Sequence, residues 1–271
     1  MNASDRAKQL TFGAAVSAND GVFGIAVLSD GKIVYTSPRG GNVDLWQMEA
    51  DGTGQKPLTK NAGDFNIRPR VAPDGKTIIF VSSRSGSQQI WRMDTDGGNP
   101  RQLTFENAVD HPWISPDGSW IYFSLNYGLD KQLIAKIPFE GGEIVKAFEE
   151  KNPYHPSISP NGQFMYFDEY DENSDDPWKH GVLSLQSGKV LKEFISSEGR
   201  FMEGWADAVS AIVERDNRRN LWVEPIDGGK SRRLTDFDNG QIRNFTVSPD
   251  FKQIVISRGN PGAEAILITD F

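Results

Sequence analysis

The chain contains no cysteine, which excludes disulfides, thiolate zinc sites and cysteine catalysis. Histidine is scarce as well, at three residues. No stretch of roughly 11–18 residues keeps an apolar period near 3.6, so almost no helix is expected. No apolar run approaches the roughly 20 residues of a membrane span. A signal peptide is lacking, and Met1-Asn2-Ala3-Ser4 reads as an arbitrary start. Basic residues are in deficit, and a formal net charge of −8 argues against a nucleic-acid surface, which needs clustered Lys and Arg. Catalytic signatures are missing too: there is no G-x-S-x-G elbow, Walker loop, G-x-G-x-x-G or H-E-x-x-H. The expectation is a protein that is not an enzyme, inserts in no membrane and binds no nucleic acid.

What is present is a repeat. In Arg70–Thr104 a Pro73-Asp74-Gly75 turn precedes the β-rich run Thr77–Ser82. A polar loop, Gln89–Met93, an Asp96-Gly97-Gly98 turn and Arg101–Thr104 follow. Pro suits the first central position of a type I turn, and Gly supplies the positive φ that closes a hairpin. The turn Asp has equivalents at Asp30, Asp74, Asp117, Asn161, Asp207 and Asp250, spaced 44, 43, 44, 46 and 43 residues apart. Four strands in a period of about 40–45 residues mark propeller blades. A chain of 271 residues would otherwise suggest roughly two domains. The repeats instead predict one all-β domain over 1–271, a six-bladed β-propeller of four-stranded antiparallel blades. The expected blades are 24–59, 60–104, 105–148, 149–194, 195–235 and 236–271. Hydrophobic content of only 37% suits thin sheets that expose their ends. Blade five, whose turn has lost Gly and Pro, should have the least regular first hairpin.

The outermost strand of a blade ends in Leu-Thr, as at Lys56–Thr59, Arg101–Thr104 and Arg232–Thr235. The sixth repeat stops at its third strand, and Lys8-Gln9-Leu10-Thr11 precedes the first blade. An N-terminal strand over 7–11 is therefore expected to complete the last blade and close the ring, removing two sheet edges. This pattern reads as a complete domain.

The Ser-Pro-Asp-Gly turns, the third strands Leu45-Trp46-Gln47-Met48-Glu49 and Ile90-Trp91-Arg92-Met93-Asp94, and the outer Arg101-Gln102-Leu103-Thr104 resemble the TolB-like β-propeller repeat, also called PD40 or WD40-like. The resemblance covers essentially the whole chain. It implies a binding or sensory propeller that presents a channel mouth or face to a protein, a peptide or a small ligand. A periplasmic or other extracytoplasmic site is part of that implication, and a monomer is expected. The ending Ile266–Phe271 resembles the terminus of the sensory propellers of bacterial regulators and Ser/Thr kinases. Alternatives are an accessory or gating propeller of a prolyl-oligopeptidase-like peptidase, or a small metal-dependent lyase or hydrolase. A fold hosts many activities, so residues must decide.

Repeat alignment puts candidate ligand-binding or partner-binding residues where the innermost strands begin, near one mouth of the channel. They are Arg68, Arg70, His111, Trp113, His155, Glu203 and Arg243. His111 and His155 are equivalent in adjacent blades and could hold a channel-bound metal ion, since neutral imidazole is a common ligand. No other cofactor is expected. Each of these histidines precedes a proline, however, and the simpler role is to cap a strand. Asp110 and Tyr154 would orient them. Arg68, Arg70 and Arg243 bring positive charge to an acidic chain, suiting an anionic ligand or partner carboxylate. Their alternative use is salt bridging with turn aspartates or Glu203. Asp171-x-Asn173-x-Asp175 opens like a calcium loop but lacks its later Gly and Glu. Trp46, Trp91 and Trp222 recur at one repeat position and read as core, whereas Trp113 and Trp178 read as exposed contacts.

Overall fold

The computed structural model describes residues 7–9, 20–106, 108–129, 131–150, 152–170, 178–195, 204–208, 210–215, 218–249, 251–259 and 264–269. Among these, all regular structure is strand, gathered into four-stranded antiparallel sheets. Five sheets are each drawn from one continuous stretch: 25–57, 66–102, 110–148, 153–195 and 204–233, here blades 1 to 5. The sixth is composite. Gln241–Val247, Gln253–Gly259 and Glu264–Thr269 supply three strands, and Ala7–Gln9 supplies the outermost. Ala7 pairs with Ile268, Lys8 with Leu267 and Gln9 with Ile266, so the N-terminal strand closes the last blade. Leu10 and Thr11 lie outside the described residues.

Period-2 patterning explains the ring. Ile25 and Val27 join an apolar cluster with Val255 of blade 6, whereas Ala26 and Leu28 join another with Ile78 and Phe80 of blade 2. Ile79 then turns to Ile121 and Phe123 of blade 3. The next seams join Tyr122 to Met165 and Phe167, Tyr166 to Trp205, and Ile212 to Phe245. Successive side chains of one strand thus face opposite neighbours, and every sheet is buried on both faces.

The Leu-Thr endings do more than extend the outer strand, whose ladders span only Lys56–Pro57, Arg101–Gln102 and Arg232–Arg233. Leu103 and Leu234 bury their side chains in the seams, while the threonine hydroxyls turn back onto the third strand. Thr104 Oγ1 accepts from the Ile90 amide at 2.9 Å and donates to Gln89 Oε1 at 2.8 Å. Thr59 and Thr235 repeat this on Leu45 with Asp44 and on Leu221 with Asn220. The motif is therefore a buried latch within the blade.

Trp46 and Trp91 are half-buried at the edges of the clusters, under the guanidinium groups of Arg39 and Arg84, rather than within the core. Trp222 is half-buried as well, and among the described residues the fully buried tryptophan is Trp205. Blade 5 has the shortest innermost strand of blades 2 to 6, Gly204–Asp207, with a register shift between Trp205 and Asp207.

Thr104→Val keeps the shape of the latch but strands a buried amide and a buried carboxamide oxygen. It should destabilise the protein by about 1–3 kcal/mol, read from urea unfolding. The same change at exposed Thr53 should cost little, and equal effects at both sites would refute the latch.

Candidate functional site

The innermost strands of blades 2, 3, 4 and 6 start with a bulge. The register shifts between Ile67 and Arg70, between Asp110 and Trp113, and between Tyr154 and Ser157. The extra residue is Arg68, His111 or His155, with φ of 57°, 52° and 51°. Positive φ is uncommon outside glycine and stores strain when a bulky residue adopts it. The bulges stitch blades together: the Arg68 amide donates to Phe23 O at 2.8 Å and the His155 amide to Ser124 Oγ at 3.0 Å. Blade 1 has Gly24 at this position, where a Cβ would lie 2.6 Å from Pro69 Cδ, so only glycine fits.

The bulges separate the candidate residues into two groups. Arg68, His111 and His155 form one. The His111 and His155 rings lie with centroids 3.5 Å apart, and Tyr127 stands 5.0 Å from His111. Asp110 accepts the His111 amide at 2.7 Å, and its carboxylate lies 3.6 Å from Arg68 Nε. Arg68 therefore pairs with a strand aspartate rather than a turn aspartate. Tyr154 packs edge-on against His155 with centroids 4.5 Å apart. His155 Nδ1 is 2.8 Å from Asp168 Oδ2, and His180 Nδ1 is 2.7 Å from Asp168 Oδ1. One fully buried carboxylate thus sits between two imidazoles, and all three histidines join one network across the seam of blades 3 and 4.

Burial raises the Asp168 carboxyl, but hydrogen bonds from both histidines outweigh it and hold the group below the usual range. Burial, with Arg68, His155 and Arg70 nearby, pushes His111 well below its ordinary value, so it stays neutral. Burial and the neighbouring Asp168 raise the Tyr154 and Tyr166 hydroxyls. No group of three His, Asp or Glu side chains among the described residues could hold a metal ion.

Arg70 and Trp113 form the second group, with the guanidinium 4.4 Å over the Trp113 ring. Both line a central cavity of about 390 Å³ to which all the blades contribute. Its other walls include Trp205, Phe251 and the turn prolines Pro73, Pro116, Pro160 and Pro249. The cavity therefore opens towards the turn end, opposite the start of the innermost strands. Among the described lining residues Arg70 is the one charged side chain, and the rest are mostly apolar. This is the form of a ligand site: concave, largely apolar, with few polar groups.

Arg243 is half-buried at the bulge of blade 6 and lines neither site. Glu203, the 171–175 loop and the Trp178 side chain lie outside the described residues. Two members of the histidine network were not singled out by residue type. Asp168 occupies the position held by Ser82, Ser124 and Ser257 in other blades, and His180 pairs with it across the hairpin. A carboxylate replacing a repeated hydroxyl was the available signal.

Comparison with known proteins places this geometry. A family model for the TolB beta propeller domain matches residues 14–205. The chain belongs to the TolB β-propeller family. No curated protein sequence matches it. Among solved structures, this TolB-family chain resembles TolB from Acinetobacter baumannii at 19% identity and a TM-score of 0.63. That match covers 80% of this chain and 54% of the other, so the chain spans about half the length of that relative. A gluconolactonase, XC5397 from Xanthomonas campestris, matches at 16% identity and a TM-score of 0.64, covering 97% and 95%. A puromycin-hydrolyzing peptidase from Mycobacterium tuberculosis matches at 15% and 0.57, covering 96% of this chain and 49% of the peptidase. At these identities the likeness is one of fold.

The His111 shift sets the sign of a pH dependence. Near the ordinary histidine value of about 6.5 the unfolded chain takes up a proton that folded His111 refuses. The unfolded state then binds more protons, so the stability contributed is full above that pH and is lost as pH falls below it. In urea unfolding between pH 7.5 and 5.5, His111→Gln should flatten this slope relative to wild type. An unaltered slope would show that His111 protonates freely in the fold. Asp168→Asn should cost about 3–5 kcal/mol at neutral pH, since it breaks a buried charged network.

Proposed function

We propose that this TolB-family propeller is a non-enzymatic binding module that receives part of a protein or peptide partner, or a small ligand, in its central cavity at the turn end. The observation that carries this reading is the Arg70–Trp113 pair in the cavity wall. A guanidinium has five N–H donors in a fixed fork, suited to a carboxylate, and the indole beneath it supplies a flat apolar surface. The rigid frame supports the reading further, because the lining comes from innermost strands and hairpin turns, which bind without costly reordering.

The histidine network serves the frame in this reading. It is buried between blades and sits at the far end of the innermost strands from the cavity mouth.

A second reading, an accessory propeller of a peptidase, is supported by the match to half of the Mycobacterium tuberculosis enzyme. A coding sequence running on into a hydrolase domain would favour it over a free-standing or sensory binding module.

The binding reading is tested by selecting displayed random peptides against the wild-type protein and titrating the enriched sequences. Arg70→Ala should weaken binding about tenfold or more while the urea midpoint changes little, and Trp113→Ala should weaken it as far under conditions where that variant remains folded. Selected peptides that bind both variants like wild type would place binding on another face.

A further inference from the structure

In blades 1 to 4 and 6 the turn before the second strand is closed by one backbone hydrogen bond from the amide of a residue of positive φ. In blades 1 to 4 that residue is glycine: Gly31, Gly75, Gly118 and Gly162, with φ of 85°, 66°, 71° and 69°. Their amides donate to Leu28, Ala72, Ser115 and Ser159 at 2.8–2.9 Å. Blade 6 makes the same turn with Phe251, whose amide donates to Ser248 O at 2.9 Å and whose φ is 59°. A side chain in this region crowds its own backbone, and phenylalanine has no polar group to offset that. The ring does not earn its place in the core either. It belongs to none of the apolar clusters between blades and remains 38% exposed. What it does is line the central cavity, as do Trp113, Trp205 and Arg70 from other blades. Strain kept at a site by a side chain that stays outside the seams between blades points to function there.

We infer that Phe251 is a specificity-determining residue of the cavity, and that the group it selects is a flat apolar ring carrying an acid. This rests on the binding role proposed for the cavity. The class of ligand follows from the lining. Among the described lining residues Arg70 supplies the only formal charge, which is positive, and a guanidinium can serve more than one partner. Trp113, Trp205 and Phe251 offer ring faces and edges, which prefer offset or edge-to-face partners. An aromatic carboxylate or sulfonate satisfies both features. The same chemistry is available as a free aromatic acid or as a phenylalanine at the C-terminus of a peptide.

The test uses the full chain and 8-anilinonaphthalene-1-sulfonate, an aromatic anion that reports its own binding by fluorescence. Competitors are N-acetylphenylalanine, its uncharged amide, and the tetrapeptide Ala-Ala-Ala-Phe. Saturable binding of the probe is expected, displaced by the free acid or the tetrapeptide and about tenfold less well by the amide. Whichever acid competes more strongly identifies the source of the group. Phe251→Gly should weaken binding of the probe about tenfold while leaving Tm equal to wild type or higher. Unchanged affinity in Phe251→Gly, with Arg70→Ala and Trp113→Ala both weakened, would overturn this inference and leave the cavity as the binding site. Weakened binding together with a fall of several degrees in Tm would assign Phe251 to the fold and overturn it as well. Unchanged affinity in all three variants, or no saturable binding to wild type, would remove the cavity reading and this one with it.

Discussion

Every sheet in this protein must bury both of its faces, and the rest of the structure follows from that demand. A strand presents alternate side chains to opposite sides, so a sheet packed on one neighbour still exposes an apolar face. Continuing the packing around a ring answers this for every blade at once. It is also how a chain with only 37% hydrophobic residues can fold: the seams are narrow and the blade ends are left to water. The composite last sheet belongs to the same solution. Pairing Ala7–Gln9 with Glu264–Thr269 covers a sheet edge and ties the two ends of the chain together.

Polar groups inside such a ring have to be satisfied within a blade or across a seam. The threonine latches do the first, giving the start of each latched third strand an acceptor and a donor. The seam between blades 3 and 4 does the second. There Asp168 replaces the hydroxyl used elsewhere, and a buried carboxylate costs free energy unless hydrogen bonds meet it. His155 and His180 meet it from two strands, and His111 stacks on from the neighbouring blade. The positive φ at Arg68 and His155 is tolerated because their amides return hydrogen bonds to the blade before, and the His111 amide is met by Asp110. In blade 1, which faces Pro69, the same geometry leaves no room for a side chain and glycine takes the position.

The channel is shaped differently at its two ends, and chemistry separates along with shape. The end where innermost strands begin is filled by imidazoles, tyrosines and an arginine–aspartate contact. The turn end carries the cavity, with one guanidinium on an indole, a ring of prolines and a phenylalanine in a glycine's place. Membership of the TolB β-propeller family accounts for the scaffold these share. The particular residues at the turn end give this chain its own cavity lining.

Much of this was legible from the residues alone. A repeat near 44 residues, turn signals at fixed offsets and the Leu-Thr endings determined the strand-by-strand design and the use of the N-terminus in the last blade, because these are local rules of hydrogen bonding and backbone geometry. The sorting of the candidate residues was not legible. Arg68 and Arg70 are two positions apart, as are His111 and Trp113, yet a bulge and the alternation of the strand send them to different ends. Asp168 gained its role only when the hairpin register set it opposite His180 and the ring set His155 beside it. Tertiary structure decided these matters because they depend on which blades are neighbours and how far each strand is shifted, and such distances between remote residues are written in no single stretch of chain.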